Sequence, residues 1–199
     1  TLAGANTYSG GTTITSGIVN VQNSRGLGTG AATVVSGAAL NLQGGITVTN
    51  LLTLNGTGTS GSGALVNVSG TNTASGAITL GSAATIGSTS GVLNLGAISG
   101  AFGLTFAGAG NTNVTNIIGT STGSVTQSGT GTLTLSGANT YSGGTTISSG
   151  NLNVTNSSGL GTGAVTVADG AELDLLGGIT VTNLLTLNGT GVAGSLVNV

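Results

Sequence analysis

The chain has 199 residues, of which 41 are glycine, and it contains no proline, cysteine, methionine, tryptophan or histidine. One basic and three acidic side chains cannot neutralise several phosphates, so the composition excludes a nucleic-acid interface. No apolar run reaches the roughly 18 to 20 residues of a membrane-spanning helix, and without cysteine there is no disulfide framework. The chain is also unlike a flexible linker, because 37% of its residues are hydrophobic and can build a core.

Short runs in which apolar residues alternate with Thr, Asn or Ser follow one another along the chain. Alternation with period two predicts β-strands, and no stretch shows the sustained 3.6-residue period of a helix. Turn-forming sequences rich in Gly, Ser and Asn separate the runs. The predicted strands cover residues 12–15, 18–21, 32–35, 39–42, 46–49, 51–54, 64–68, 77–80, 92–95, 104–106 and 132–135.

The chain repeats itself from Thr134 onward. Residues 1–62 and 134–195 are identical at 48 of 62 positions without a gap. We therefore divide the chain into a first repeat unit, residues 1–133, and a partial second unit, residues 134–199, of one continuous structure. A period this long must itself contain several smaller structural turns.

Two architectures fit short strands with short turns: an antiparallel sandwich or barrel, and a parallel β-solenoid. Three observations favour the solenoid. Successive strands carry their polar residue at the same internal place, as stacked ladders require; the repeat can continue indefinitely; and proline, which cannot donate to a neighbouring rung, is absent. With about 20 to 25 residues per coil and about 4.8 Å per rung, one unit would hold about six coils and advance roughly 29 Å.

Two glycine motifs resemble catalytic or cofactor signatures. The pattern GxGxxG follows a predicted strand, but the next predicted element is another strand instead of the helix that a pyrophosphate site needs. The pattern GxSxG has no histidine or lysine in the chain to act as a base. We interpret both as turns and predict no catalytic, cofactor or metal residue. The glycine-motif residues are Gly56, Gly58 and Gly61, repeated as Gly189, Gly191 and Gly194, and Gly119, Ser121 and Gly123.

Three acids, Asp169, Glu172 and Asp174, lie close together in the second copy. Glu172 and Asp174 are two residues apart in a predicted strand, so we expect both carboxylates on the outer face about 7 Å apart. Such a patch could serve carbohydrate chemistry or Ca²⁺ binding, but we favour solubilising charges on an exposed strand. The residues at the same places in the first copy are uncharged: Ser36, Ala39 and Asn41.

The chain has few aromatic and basic side chains. Tyr8 and Tyr141 lie beside a double glycine, where we expect them to pack the turn against the coil instead of stacking on sugar rings. Neither Phe102 nor Phe106 has a second copy in the chain. Phe106 alternates with Leu104, so we predict that it lies in the core. Arg25 is replaced by Ser at the same place in the second copy, so it is not essential to the unit.

The motif TLSGANTYSGGTTISSGNLNV, residues 134–154, is present in both copies. It resembles the passenger-associated transport repeat, the autotransporter-associated β-strand motif of Gram-negative bacterial surface proteins. The matching residues are Leu135, Gly137, Asn139, Thr140, Tyr141, Gly143, Gly144, Thr145, Thr146, Ile147, Gly150, Leu152 and Val154, with Leu2, Gly4, Asn6, Thr7, Tyr8, Gly10, Gly11, Thr12, Thr13, Ile14, Gly17, Val19 and Val21 in the first copy.

This resemblance implies a right-handed parallel β-helix that is secreted through an outer-membrane β-barrel and works as an adhesin or an extended stalk. We expect a non-enzymatic structural or adhesive segment that is extracellular, anchored at the outer membrane or released. The expected partners are further chains, end to end or laterally, or a host or neighbouring cell surface. A carbohydrate-binding or carbohydrate-cleaving β-helix that uses the acidic residues is the alternative, and a Ca²⁺-dependent repeat is a weaker one.

Overall fold

The computed structural model describes residues 1–189 and 195–198, which form twenty-two β-strands and a single turn of 3-10 helix, Thr59–Gly61. No α-helix, and so no helix that could cross a membrane, occurs in this part of the chain. In chain order the strands are β1 (Thr12–Ile14), β2 (Ile18–Val21), β3 (Ala32–Val34), β4 (Ala39–Gln43), β5 (Thr47–Val48), β6 (Leu52–Gly56), β7 (Leu65–Ser69), β8 (Thr71–Ala74), β9 (Ile78–Ser88), β10 (Val92–Leu95), β11 (Ile98–Ser99), β12 (Leu104–Ala107), β13 (Asn111–Val114), β14 (Ile118–Gly119), β15 (Val125–Gln127), β16 (Thr132–Leu135), β17 (Thr145–Ile147), β18 (Asn151–Val154), β19 (Val165–Val167), β20 (Glu172–Leu175), β21 (Leu185–Leu187) and β22 (Leu196–Asn198).

The strands pair in parallel with strands of the next coil and form three faces. Face 1 contains β1, β3, β6, the start of β9, β11 and β14. Face 2 contains β2, β4, β7, the end of β9, β12, β15, β17, β19 and β21. Face 3 contains β5, β8, β10, β13, β16, β18, β20 and β22. The predicted all-β parallel β-solenoid is confirmed, with about nine coils.

Most coils have nearly the same length. Hydrogen-bonded side chains and carbonyls at equivalent places of adjacent coils are 20 or 21 residues apart in the chain. One coil is longer, since the backbone N–H of Gly56 donates to Oγ of Ser82, which lies 26 residues further along the chain. The longer coil contains residues 56–64, an additional corner segment that includes the 3-10 turn. The predicted coil length therefore holds for nearly every coil.

The interior is a column of stacked side chains, mainly aliphatic. Phe106 is 1% exposed, which confirms its predicted place in the core. Gln127 interrupts the same file, and its Nε2 donates to the carbonyl oxygens of Gly129 at 3.1 Å and Gly131 at 3.0 Å. One inward file on face 2 runs through neighbouring coils as Val19, Leu40, Leu65, Ile86, Phe106, Gln127, Ile147 and Val167.

Polar side chains form ladders on the outside, as the sequence predicts. The face-1 threonine ladder is Thr13, Thr33, Thr53 and Thr79. The face-2 threonine ladder begins at Thr85, which is buried, and continues outside as Thr105, Thr126, Thr146, Thr166 and Thr186. Asparagines also stack: Nδ2 of Asn41 donates to Oδ1 of Asn20, and Nδ2 of Asn113 to Oδ1 of Asn94, both at 3.0 Å.

Candidate functional surface

The asparagine of the repeated motif connects three coils. Nδ2 of Asn139 donates to the carbonyl oxygen of Gly159 in the following coil at 2.6 Å, and its Oδ1 accepts from the backbone N–H of Ile118 in the preceding coil at 2.8 Å. In the first copy, Nδ2 of Asn6 donates to the carbonyl oxygen of Gly26 at 2.7 Å. This side chain is therefore a clamp between coils, and its polar groups are occupied by backbone.

The motif tyrosine is a packing residue where a coil lies on both sides of it. Tyr141 is fully buried, whereas Tyr8 is 41% exposed. The hydroxyl of Tyr141 shares a hydrogen bond of 2.7 Å with Oγ1 of Thr145, and that of Tyr8 one of 2.8 Å with Oγ1 of Thr12. Burial raises the pKa of the Tyr141 phenol far above its ordinary value, and the hydrogen bond with Thr145 opposes this rise. The predicted packing role is confirmed for Tyr141.

A glycine in the following coil makes room for each motif tyrosine. Gly161 has φ of +64°, and a Cβ built there would lie 2.8 Å from the ring of Tyr141 and closer still to its carbonyl oxygen. Gly28 has φ of +66° and the same relation to Tyr8. The sequence pattern alone did not predict that this Tyr and Gly form a unit, although their spacing of one coil in both copies is the signal.

The acidic residues do not form an exposed patch. Glu172 lies on the outer side of β20 but is only 6% exposed, and its carboxylate accepts a hydrogen bond of 3.4 Å from Nδ2 of Asn151. Burial raises the pKa of Glu172 above 4.5, the charge of Asp174 and a hydrogen bond with it raise the pKa further, and Asn151 opposes them. The expectation of a solvated charge is wrong for Glu172, because Asn151 in the adjacent coil and Asp174 on the same strand lie against it.

Asp169 is part of the turn before β20. No group of three or more potential ligand side chains that could hold a metal ion occurs in residues 1–189 and 195–198. No pocket opens on this part of the chain either.

Neither glycine motif has the geometry of a chemical site. Gly56, Gly58 and Gly61 all have positive φ and lead into the 3-10 turn and β7, so no helix N-terminus faces a phosphate. In the second copy Gly189 also has positive φ, while Gly191 and Gly194 lie outside the described residues.

The second motif centres on Ser121, which has φ of +50° at an exposed corner between face 1 and face 2. Gly119 is the last residue of β14, and Gly123 donates its backbone N–H to the carbonyl oxygen of Thr120 at 2.7 Å. A strained serine alone resembles a nucleophile elbow, but this one lies in a turn between short parallel strands.

Two further side chains lie at the surface. Phe102 is exposed at a corner, and Arg25 is exposed in the turn before Leu27. The backbone N–H of Arg25 donates to Oδ1 of Asn23 at 2.9 Å, and the equivalent Ser158 donates to Asn156 at the same distance. The turn is thus closed by an asparagine side chain in both copies, and this hydrogen bond does not use the side chain of Arg25.

Two segments of the chain are similar to a known repeat family. The family described as Passenger-associated-transport-repeat matches residues 1–21 and 125–154. The chain carries passenger-associated transport repeats. The matched residues include both asparagine clamps, both motif tyrosines and the strands that follow them, so the repeat coincides with the geometry above. Curated proteins and solved structures gave no match.

Each passenger-associated transport repeat thus occupies about one to one and a half coils of a longer solenoid. Its recurring residues stack coil on coil and leave no cleft in the described residues. The repeat and the fold together support a β-helical segment of a surface protein. This places the segment at the cell surface or outside the cell.

Proposed function

We propose that this segment is a structural element that extends a bacterial surface protein as a stalk or fibre and catalyses no reaction itself. The observation that supports this most is the unbroken parallel pairing from β1 to β21, which passes through both copies of the repeat. In a solenoid each coil contacts only its neighbours, so length can be added without a new core. The segment is anchored at the outer membrane or released from it.

The same pairing supports end-to-end association. A further coil, from the same or another chain, would be held by the backbone hydrogen bonds and asparagine clamps that already join the coils. The threonine ladders of faces 1 and 2 carry no charge, so they neither repel a neighbouring fibre nor attract an ionic ligand. Contact with a host or neighbouring cell is the second role that these faces leave open.

Electron microscopy and fibre diffraction of the purified chain test the fibre. We expect elongated particles with a reflection of about 4.8 Å along the long axis, since the strands lie across it. Compact particles without this axial reflection would contradict the proposal.

Binding experiments separate a stalk from an adhesive or carbohydrate-binding segment. The labelled chain is incubated with bacterial cells, host cells and neutral and acidic polysaccharides. A stalk shows no saturable binding and releases no reducing sugar ends. The carbohydrate alternative predicts saturable polysaccharide binding by the wild-type chain. It also predicts that the double variant E172A/D174N loses this binding while the variant remains as stable as the wild-type chain. These substitutions restore the residues of the first copy.

A further inference from the structure

Equivalent positions of the two copies lie on different faces of the solenoid. Thr13 lies on β1 of face 1, whereas its equivalent in the second copy, Thr146, lies on β17 of face 2. Asn20 lies on β2 of face 2, whereas its equivalent, Asn153, lies on β18 of face 3. The second copy of the motif has therefore moved forward by one face.

The register of the coils explains this step. Six pairings lead from Val19 through the inward file of face 2 to Ile147. The residue of the second copy that corresponds to Val19 is Leu152, five positions beyond Ile147. Five positions also separate Ile14 at the end of β1 from Val19 on β2. One repeat unit therefore spans six complete coils plus one face of the next coil.

The motif makes the same contacts on either face. The hydroxyl of the motif tyrosine bonds to a threonine four residues later in both copies. Nδ2 of Asn50 donates to the carbonyl oxygen of Gly30 at 2.7 Å, and Nδ2 of Asn183 to that of Gly163 at 2.8 Å. The corners of the three-sided coil are thus interchangeable for this sequence, and nothing forces the motif back to its first face.

Strand β9 carries the threonine ladder across the corner. Its first residues belong to face 1 and include Thr79, which extends the face-1 threonine ladder. Its last residues pair with face 2 and include Thr85, which begins the face-2 threonine ladder. The ladder of the second copy, Thr146, Thr166 and Thr186, continues the file that Thr85 begins.

We propose that each repeat unit is a screw element, so that an array of such units turns its threonine ladder by one face per unit. This inference rests on the proposed role as a fibre of repeated units. Three units comprise three times six coils plus three faces, and three faces make one further coil. The pattern therefore returns to its first face after about nineteen coils, roughly 91 Å. Each face then displays the ladder in turn, and a contact made through the ladder winds around the fibre.

The chain itself provides a direct test because it contains no cysteine. Pyrene maleimide is attached to the double variant T126C/T146C, whose positions are adjacent on face 2, and to G119C/T146C. Gly119 lies on face 1 in the file of Thr13, where Thr146 would stack if a unit held a whole number of coils. We expect excimer fluorescence from T126C/T146C and monomer fluorescence from G119C/T146C.

The variant T13C/T33C, adjacent on face 1, is the positive control for the probe. Far-ultraviolet circular dichroism establishes that each variant is folded. Excimer fluorescence from G119C/T146C, or its absence from folded T126C/T146C while the control shows it, would overturn the inference.

The second measurement is made on filaments of a chain that contains several consecutive repeat units. Helical reconstruction by electron cryo-microscopy should give an axial repeat of about 91 Å, and a repeat of about 30 Å, one unit, would overturn the screw arrangement. Failure to form filaments would count against the proposed fibre, while the pyrene experiment would still decide the face of each copy. The two proposals can therefore fail separately.

Discussion

Gly161 is the residue at which the fold depends most directly on a missing side chain. Its backbone has positive φ, and the ring and carbonyl oxygen of Tyr141 occupy the space where a Cβ would lie. We expect Gly161→Ala to lower the free energy of unfolding by about 3 kcal/mol, from backbone strain and overpacking together. Gly170, with φ of +77° and open space around its Cβ position, is the matched control.

Gly170→Ala carries only the backbone term and should cost about 1 kcal/mol. Urea unfolding followed by circular dichroism measures both variants. Equal losses for the two would mean that the contact between Tyr141 and Gly161 adds nothing beyond the backbone conformation.

Glu172 gives the chain a pH-dependent stability with a defined sign. Its pKa is raised in the folded chain, chiefly by burial and next by Asp174, so the folded state binds this proton more tightly than the unfolded state. Stability is therefore greatest below the unfolded value of about 4.5 and falls as the pH rises from there through the raised pKa of the folded chain. We expect E172A, which places the alanine of the first copy there, to flatten this fall.

Thermal unfolding between pH 3.5 and pH 8 measures the effect. Asp169→Ser, which removes another acid from the same copy and places the serine of the first copy there, is the control and should keep the fall. A wild-type chain whose stability rises with pH across this range, with E172A following it, would contradict the assignment to Glu172.

Among the structural elements, the asparagine clamp holds neighbouring coils together. Removing the side chain of Asn139 leaves two buried backbone groups without partners, the N–H of Ile118 and the carbonyl of Gly159. Each unsatisfied buried group costs roughly 1–3 kcal/mol, so Asn139→Ala should destabilise by about 3 kcal/mol. Asn6→Ala, which loses the single side-chain bond to Gly26, should cost about 1 kcal/mol.

Hydrogen exchange read by mass spectrometry locates the effect of the clamp. Amides of residues 118 and 139–161 should exchange faster in Asn139→Ala, while those of β1 and β3 keep their protection, because solenoid coils are stabilised by their nearest neighbours. Loss of protection along the entire chain would indicate global cooperativity instead of local coupling.

The strands that the sequence predicted are runs in which apolar residues alternate with polar ones, and each of these runs contains a strand. The strands of the first unit that the sequence missed are β8, β11, β13, β14 and β15. In β8 and β13, polar side chains take inward positions in TNTA and NTNV: Asn72 and Thr112 are buried. Asn72 is satisfied by the backbone N–H of Ile46 at 2.8 Å and by Asn67 at 2.5 Å. A hydrophobic pattern cannot reveal a polar group whose partners lie in other coils.

For the whole molecule, the sequence predicted the solenoid and its six coils per unit but not the step of one face. That step depends on the sum of all coil lengths, including the corner segment 56–64, and the repeated motif is compatible with any face. Likewise, the outward position of Glu172 followed from alternation, but its burial depends on Asn151 in an adjacent coil. Local periodicity gives the direction of a side chain and leaves its neighbours undetermined.

The same nearest-neighbour construction predicts how the whole molecule responds to trypsin. Arg25 is the one basic residue of the chain and is exposed, so we expect a single cut there. The peptide 1–25 should stay bound after cleavage, because β1 pairs with β3 and β2 pairs with β4 across the cut. Denaturing gels should show two fragments, whereas size-exclusion chromatography should show one particle of unchanged size.

Arg25→Ser, which introduces the residue of the second copy, should leave the chain uncut and is the control. The turn should survive this change, because its hydrogen bond runs from the backbone to Asn23. Separate elution of the peptide 1–25 would mean that parallel pairing with one neighbouring coil cannot hold a coil in place. Retention of the peptide would mean that the solenoid tolerates a broken chain, because adjacent coils are joined by many backbone hydrogen bonds besides the covalent link.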